Sequence, residues 1–392
     1  MERQTPYKIM RITTVPLSLH KLLNGQMRFM REEGFDVLMV SSDGPEIAQV
    51  VAHEGCNHEV VRMTRQLTPL QDFIALFRLI FLMIKYKPDI VHTHTPKAGM
   101  LGMLASWILQ VPVRMHTVAG LPWMEAKGIK RTLLRLTEKI TAGCAQYVFV
   151  NSRSLLEFMK CEKIVKDPGK MQVLGCGTSN GINLDIFSNN AAISRHSKEL
   201  KRSAGLKEDG QVWLFVGRLV TDKGIRELFE AFCELHHEFP NDQLWLVGPA
   251  ETHNSMPAKL MADLSTHPGV INWEYQEDVR PFMVAAYALV FPSYREGFPN
   301  VPLQAAAMGC TLILSDINGC NEIVKNEVNG LLVPVKDYKQ LSLAMLRMRK
   351  DKDMRLAFVE NTLQIVKDCY AQSYIHQSLK SEYLNALNTI KG

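Results

Sequence analysis

Two cationic side chains in the second half of the sequence are spaced to bind a diphosphate. Arg218 and Lys223 follow the apolar run 212–216 and precede a segment with helical periodicity. Backbone amides and the helix dipole favour anions at such a helix start, and Arg and Lys add charge-assisted hydrogen bonds. For this segment alone, a solvated loop with two unrelated cations is the alternative interpretation.

A carboxylate follows a second apolar run further along the chain. Glu296 comes after residues 288–292, and Gly297 and Phe298 separate it from a second helical segment. A carboxylate accepts hydrogen bonds from sugar hydroxyls, and free amides before a helix hold phosphate oxygens. Gln304, near the middle of that helix, is placed to reach further hydroxyls. A carboxylate at a helix terminus without a ligand is the alternative for Glu296.

The elements around these residues alternate between strand and helix along the chain. Short connections join β-branched runs to helical patterns in both halves, as in βαβ units with parallel sheets. The sequence therefore predicts an α/β fold of two facing, doubly wound Rossmann-like domains with a ligand-binding cleft between them. The predicted parts are an N-terminal domain at 1–188, a hinge region at 189–208, a C-terminal domain at 209–370, and a C-terminal helix at 371–392 that is a candidate to pack back on the N-terminal domain.

Composition and charge restrict the class of protein. The 392 residues are 46% hydrophobic and 22% charged, which excludes a disordered or polytopic membrane protein. Residues 1–190 carry 23 Lys and Arg against 16 Asp and Glu, as in a domain that faces an anionic surface or acceptor; uneven charge without function is the alternative. The Cys residues show no metal-ligand spacing, and no signal-peptide core is evident, so we expect a cytoplasmic protein.

Two segments of the N-terminal half combine apolar and basic residues. Residues 73–87 are very apolar with three cations, and we predict that they pack in the core, with membrane contact as the alternative. Residues 128–136 are basic and amphipathic and follow an apolar stretch that contains Trp123. Such segments lie in the headgroup region of anionic membranes. For this second segment, membrane contact and core packing both stay open.

Together the motifs resemble a known family. Residues 216–224 and 291–309, in this order, are similar to the C-terminal domain of retaining GT-B glycosyltransferases of family 4. Residues 175–187 resemble that family's crossover between domains, residues 316–324 its loop after the Glu-containing helix, and residues 89–102 its histidine-bearing N-terminal strand. The resemblance covers most of the chain and extends to members that build capsular and O-antigen polysaccharides.

The resemblance implies a donor site in the C-terminal domain. Arg218 and Lys223 would hold the donor's diphosphate, and Glu296 would bind hydroxyls of the donor sugar. Gln304 stands where the family has a second Glu that binds the ribose, and an amide lacks that charge and paired acceptor geometry. The implied donor-binding residues are Arg218, Lys223, Glu296, Gly297, Phe298, Asn300 and Gln304.

The resemblance also implies roles in the N-terminal domain. His116 would close a strand and matches the family's active-site histidine, so it is a catalytic candidate together with Glu296, Arg218 and Lys223. His94 and Lys97 are candidates for the acceptor side. Residues 15–20 stand where the family has a glycine-rich first loop, which is a departure from its pattern.

The implied reaction is retaining transfer of a hexosyl or N-acetylhexosaminyl group. A nucleotide-diphosphate sugar, with uridine favoured, would be the donor, and a lipid-diphosphate-linked glycan of surface polysaccharide biosynthesis the expected acceptor. No cofactor, metal or nucleic acid is expected, and a peripheral position on the inner face of the plasma membrane stays open. The alternatives are a nucleotide-sugar epimerase of the same architecture, an inactive sugar-nucleotide-binding paralogue, and a nicotinamide oxidoreductase, whose glycine fingerprint residues 175–181 miss by one position.

Overall fold

The computed structural model describes residues 5–64, 66, 68–124, 126–251 and 255–391. The chain divides into two compact units: residues 1–181 together with 372–392, and residues 182–371. Each unit is built on one parallel sheet. Near-continuous apolar runs form the central strands because parallel sheets are covered by helices on both faces.

The sheet of the first unit has the strand order β3-β2-β1-β4-β5-β6-β7. Its strands are β1 (Lys8–Ile12), β2 (Asp36–Ser41), β3 (Asn57–Val60), β4 (Ile90–His94), β5 (Val113–Val118), β6 (Tyr147–Val150) and β7 (Met171–Val173). Its first seven helices are α1 (Pro16–Leu22), α2 (Gln26–Glu32), α3 (Ile47–Glu54), α4 (Pro69–Tyr86), α5 (Pro96–Ile108), α6 (Gly128–Cys144) and α7 (Arg153–Cys161).

Alternation along the strands gives this sheet two cores. Met10 and Ile12 of β1 pack with residues of α4, α5, α6 and α7. Ile9, between them in sequence, packs on the opposite face with residues of α1, α2 and α3. Adjacent residues of a strand point to opposite faces of a sheet, so a single strand supplies both cores.

The sheet of the second unit has the strand order β10-β9-β8-β11-β12-β13. Its strands are β8 (Val212–Val216), β9 (Gln243–Val247), β10 (Val270–Asn272), β11 (Ala288–Phe291), β12 (Thr311–Ser315) and β13 (Leu331–Val333). Its helices are α8 (Ala191–Ser203), α9 (Ile225–Glu238), α10 (Ala258–Thr266), α11 (Arg280–Ala285), α12 (Asn300–Ala307), α13 (Cys320–Ile323), α14 (Tyr338–Lys350) and α15 (Lys352–Ile365).

The C-terminal helix belongs to the first unit. A short π-helical turn, Val366–Tyr370, precedes α16 (Gln372–Lys391). Ile375, Leu379 and Tyr383 of α16 are buried in the same core as Ile9. The chain therefore leaves the first unit after residue 181 and returns to it at residue 372.

Of two sequence predictions about elements, one is wrong and the other is confirmed in part. Residues 189–208, predicted as a hinge region, lie inside the second unit and contain α8, whose first turn is capped by the Asn190 side chain (3.0 Å to the amide of Ile193). A cap of this kind satisfies an otherwise unpaired helix amide. Residues 73–87 do pack in the core as predicted, through Ala75, Leu79, Leu82 and Met83 of α4, but the aromatic side of this helix is exposed.

Candidate functional site

The order of strands in the second unit brings two loops together. β8 lies between β9 and β11, so the direction of strand addition reverses there. The loops that follow β8 and β11, residues 217–224 and 292–299, leave the carboxyl ends of adjacent strands. Ligands of open parallel sheets bind at such a switch point.

Backbone and side-chain contacts fix the two loops against each other. The amide of Tyr294 donates to the carbonyl oxygen of Asp222 over 2.9 Å, and the Arg295 guanidinium forms an ion pair with the Asp222 carboxylate. Gly224 lies against Pro292, where an added Cβ would stand 2.2 Å from the carbonyl oxygen, and its φ is +69°. Only glycine fits both that spacing and that φ.

Lys223 and Glu296 form an ion pair at the junction of these loops. Their side chains are only 16% and 15% exposed, and the Lys223 Nζ lies 5.1 Å from the centre of the Phe291 ring. Charges shielded from water interact more strongly than exposed ones. The pair places a cation for phosphate beside an acceptor for hydroxyls, which suits a phosphorylated sugar.

Two residues missed by the sequence analysis hold Glu296 in place. The Asn318 side-chain amide donates to the carbonyl oxygens of Gly297 (2.8 Å) and Glu296 (3.2 Å). Gly319, with φ of +79°, approaches so closely that an added Cβ would lie 2.7 Å from the Gly297 oxygen. Both residues belong to the 316–324 motif, which was the sequence signal that could have identified them. Their contacts with Glu296 and Gly297 join two separate loops, and the motif alone does not reveal such contacts.

Arg218 has a different partner from Lys223. Its guanidinium forms an ion pair with the Glu251 carboxylate at 3.0 Å, and the two side chains are 57% and 35% exposed. Nothing in the sequence singled out Glu251. A diphosphate bound by Arg218 would compete with that carboxylate, and because the pair is largely solvated, separating it costs little.

The remaining predicted donor residues lie at the start of α12. Gly297 and Phe298 precede this helix, Asn300 is its first residue, and Gln304 follows one turn later. All four are partly exposed. Asn300 and Gln304 are four residues apart and therefore share one face of the helix, so both amides are available on the same side.

His116 does not close a strand, and that prediction is wrong. β5 continues to Val118, and the His116 ring is 2% exposed. Its Nδ1 is 2.8 Å from the Thr93 hydroxyl, and an added Cβ on Gly99 would lie 2.5 Å from the ring. Burial lowers the pKa of His116 to about 4. The neutral ring is packed against α5, so contact with a reacting centre would require it to leave this core.

The side chain of His94 points to the other face of the sheet. His92 and His94 stack with ring centres 4.5 Å apart, and His92 is bonded to Arg11, Tyr383 and Thr117. Among the described residues, the buried Nε2 of His94 has no hydrogen-bond partner. Burial lowers the pKa of His94 well below its usual value, so the ring is neutral.

Lys97 is bound within the first unit. Its ammonium contacts both carboxylate oxygens of Asp72, at 2.6 and 2.7 Å, and both side chains are largely buried. The pair joins the start of α5 to the start of α4. The sequence assigned Lys97 to the acceptor side, whereas the structure gives it this internal partner.

A buried carboxyl near His116 makes stability depend on pH. Glu138 lies 3.9 Å from the His116 Nε2, and burial raises its pKa to about 7. A carboxyl whose pKa is higher in the folded state contributes stability below its unfolded pKa, and this contribution is lost as pH rises through 7. We therefore expect Glu138→Gln to stabilise the protein at pH 8 by about 1–3 kcal/mol relative to the wild type, and not at pH 4.

Urea unfolding at the two pH values measures this difference. Glu157→Gln, which changes an exposed carboxyl of α7 paired with Lys160, is the matched control and should show no such pH dependence. An equal effect of Glu138→Gln at both pH values would contradict the prediction.

Two kinds of structural feature are absent from the described residues. No group of three or more His, Cys, Asp or Glu side chains is arranged to hold a metal ion. Within the same residues, every helix is too short or too polar to cross a bilayer.

Comparison with known proteins assigns the family. The model of glycosyl transferases group 1 matches residues 196–364, and that of a glycosyl transferase 4-like domain matches residues 21–177. The capsular polysaccharide biosynthesis glycosyltransferase CapM of Staphylococcus aureus is 33% identical over 390 residues, 98% of this chain and 99% of CapM. The chain belongs to the group 1 glycosyltransferases.

Further similarities of this glycosyltransferase agree with that assignment. The Escherichia coli UDP-Gal:alpha-D-GlcNAc-diphosphoundecaprenol alpha-1,3-galactosyltransferase is 27% identical over 357 residues, 89% of each chain. The crystal structure of Anabaena Alr3699/HepE in complex with UDP has a TM-score of 0.78 at 16% identity, over 97% of this chain and 100% of that one. The GT-B fold class predicted from the sequence is confirmed.

Proposed function

We propose that the protein is a retaining glycosyltransferase that moves a sugar from a UDP-sugar to a lipid-diphosphate-linked glycan acceptor in surface polysaccharide biosynthesis. The observation that carries the proposal is the shielded Lys223–Glu296 pair at the switch point of the second unit. It sets a phosphate-binding cation beside a hydroxyl-binding carboxylate. Support for uridine comes from the UDP bound in HepE, and support for the acceptor from the diphosphoundecaprenol substrate of the Escherichia coli relative.

Catalysis would rest on charge placement by the two loops. Lys223 and Arg218 are paired with Glu296 and Glu251 before the donor binds. The donor's diphosphate would draw both cations away from these carboxylates and free Glu296 to accept from sugar hydroxyls. As the glycosidic bond breaks, negative charge grows on the diphosphate, and the fixed cations stabilise that charge more than the ground state. On this proposal the two cations neutralise the diphosphate charge, which is a role that a metal ion could otherwise have.

The other donor contacts follow from the position of α12. The amides of Gly297 and Phe298 would bind oxygens of the phosphate and sugar, and Asn300 would support them from the first turn. Gln304 lies one turn further along the same helix face and would accept one ribose hydroxyl bond. No protein nucleophile is assigned: the bond between the anomeric carbon and the diphosphate oxygen would break, and the incoming hydroxyl would attack from the same face and give its proton to that departing oxygen, which retains the anomeric configuration.

Thermal unfolding with added nucleotides tests the proposal. UDP at 100 times its dissociation constant should stabilise the protein by about 2.7 kcal/mol, more than GDP, ADP, NAD or NADP at the same concentration, and equally with EDTA or magnesium. A shift with NAD or NADP alone would overturn the proposal. Absence of a shift with every nucleoside diphosphate would instead favour an inactive paralogue, and epimerised UDP-N-acetylglucosamine after incubation would favour the epimerase.

A further inference from the structure

One side of α4 presents large aromatic side chains to solvent. Phe73, Phe77 and Phe81 are 59%, 54% and 70% exposed. They are spaced by four residues, so they form one stripe along the helix, which Leu70 and Ile84 extend at its two ends. A helix side that carries a continuous row of large apolar residues is ordinarily covered by other parts of a protein. The aromatic side of α4 is therefore exposed although its side chains are of the kind that is normally buried.

A second helix repeats this pattern on the same face of the sheet. Exposed apolar residues follow each other along one side of α6: Ile129, Leu133, Leu136 and Ile140. The opposite side of α6 holds its buried residues, among them Thr141 and Ala142. α5 packs between α4 and α6, and all three helices cover the same core. The two stripes therefore belong to one surface, here called the α4–α6 face.

Cationic side chains border both stripes. Arg78 and Lys85, seven residues apart, lie along one edge of the α4 stripe and are exposed. Lys130 and Lys139 border the stripe of α6 on its two sides. The carboxylates of these two helices contribute little negative charge at this surface, because Asp72 is paired with Lys97 and Glu138 is buried with a raised pKa.

The apolar surface also includes a cleft. Beside α4 lies an open cleft of about 620 Å³ between this helix and β3, walled by Val60, Phe73, Phe77 and Phe81. Arg78 and Lys85 are among its lining residues. A cleft of this kind accepts flexible apolar chains, and cations at its border attract anionic groups to which such chains are attached.

We propose that the α4–α6 face docks on an anionic phospholipid bilayer, with the aromatic stripe of α4 in the acyl boundary and the Lys and Arg side chains at the headgroups. Apolar stripes bordered by cations match the two layers of a membrane interface. A contiguous apolar patch that is exposed on a folded unit marks an interaction surface. The positive charges at its border favour a negatively charged membrane as the partner. The inference rests on the proposed function, because docking would hold the enzyme at the membrane that contains its lipid-linked acceptor.

Cosedimentation with lipid vesicles tests this docking. Wild-type protein should bind vesicles of phosphatidylcholine mixed with phosphatidylglycerol more tightly than vesicles of phosphatidylcholine alone. Phe77→Ser/Phe81→Ser should weaken binding at least tenfold. Arg78→Gln/Lys85→Gln should weaken it by roughly fivefold for each charge removed, on the anionic vesicles only. The control Leu343→Ser/Leu356→Ser removes two exposed apolar side chains of the second unit and should bind as the wild type does.

Each outcome bears on one proposal. Wild-type protein that stays in the supernatant, or a Phe77→Ser/Phe81→Ser variant that binds as the wild type does, would overturn docking. Conversion of a dimer into a monomer by the same variant, without vesicle binding by the wild type, would show that a second copy covers the face and would also overturn docking. The UDP stabilisation, measured on every variant, reports folding and the donor site separately. Its absence in a wild type that binds vesicles would count against the proposed function alone.

Discussion

Replacing Lys223 with Met should lower the turnover of sugar transfer by roughly 10²–10³-fold, the cost of removing one preorganised group that stabilises developing negative charge. The side chain is shielded by Phe291 and paired with Glu296, so its charge acts with little screening by solvent. Met is a flexible, unbranched side chain of nearly the same length that lacks the ammonium group, with its charge and its hydrogen-bond donors. Initial rates of UDP release from the donor, in the presence of the acceptor, measure the loss.

Lys350→Met is the matched control for this variant. Lys350 also forms an ion pair, with Glu238 at 2.7 Å in the same unit, but both side chains are about half exposed. The control removes one positive charge and one ion pair, and we expect its turnover to match the wild type. Equal turnover of Lys223→Met and Lys350→Met would contradict the assignment of Lys223.

A double variant separates chemistry from stability. Lys223→Met leaves the partly buried Glu296 carboxylate without its cation, which lowers the free energy of unfolding by about 1–3 kcal/mol. Lys223→Met/Glu296→Gln removes that unpaired charge and should regain stability without regaining turnover. Regained turnover in the double variant would show that Lys223 serves only to neutralise Glu296.

The sequence predicts the strands and the two loops of the second unit closely. The predicted runs 212–216 and 288–292 match β8 and β11 within one residue. They are recognisable because a strand covered on both faces is continuously apolar, and glycine or proline marks its end. Since both loops leave the carboxyl ends of strands, the proximity of Lys223 and Glu296 requires only that β8 and β11 be neighbours, which the doubly wound order ensures.

The predictions that the structure corrects concern the limits of elements and the sides on which they are covered. α4 is apolar on most of its surface, and its few charged residues do not indicate which apolar side is left exposed, so periodicity cannot distinguish a covered helix from one with a free side. For His116, the end of β5 was placed two residues too early. The neighbouring strand supplies Thr93 in register with it, and this register is a property of the sheet rather than of the segment.

Partners far apart in sequence were missed for a related reason. Glu251 reaches Arg218 from the loop after β9, and Asn318 reaches the carbonyl oxygen of Gly297 from the loop after β12. Both contacts join loops at one edge of the sheet, and several loops there carry carboxylates and amides. Which of them meets which is decided by the packing of the loops, for which the sequence has no local pattern.

Gly319→Ala should reduce the affinity for UDP at least tenfold, whereas Gly309→Ala should leave it unchanged. Both glycines have a φ of +79°, at which alanine carries a conformational penalty of about 1–2 kcal/mol in the free energy of unfolding, and Gly319 has in addition a ψ of −42°, outside the left-handed helical region. Only at Gly319 would the new Cβ press on the loop of Glu296, 2.7 Å from the Gly297 oxygen and 3.0 Å from the Phe298 Cα, while Gly309 has open space within 4 Å. Calorimetric titration of both variants with UDP therefore compares a substitution that presses on the loop with the replacement of a positive-φ glycine that meets no neighbouring atom. Equal affinities would mean that the position of the 292–299 loop does not control donor binding.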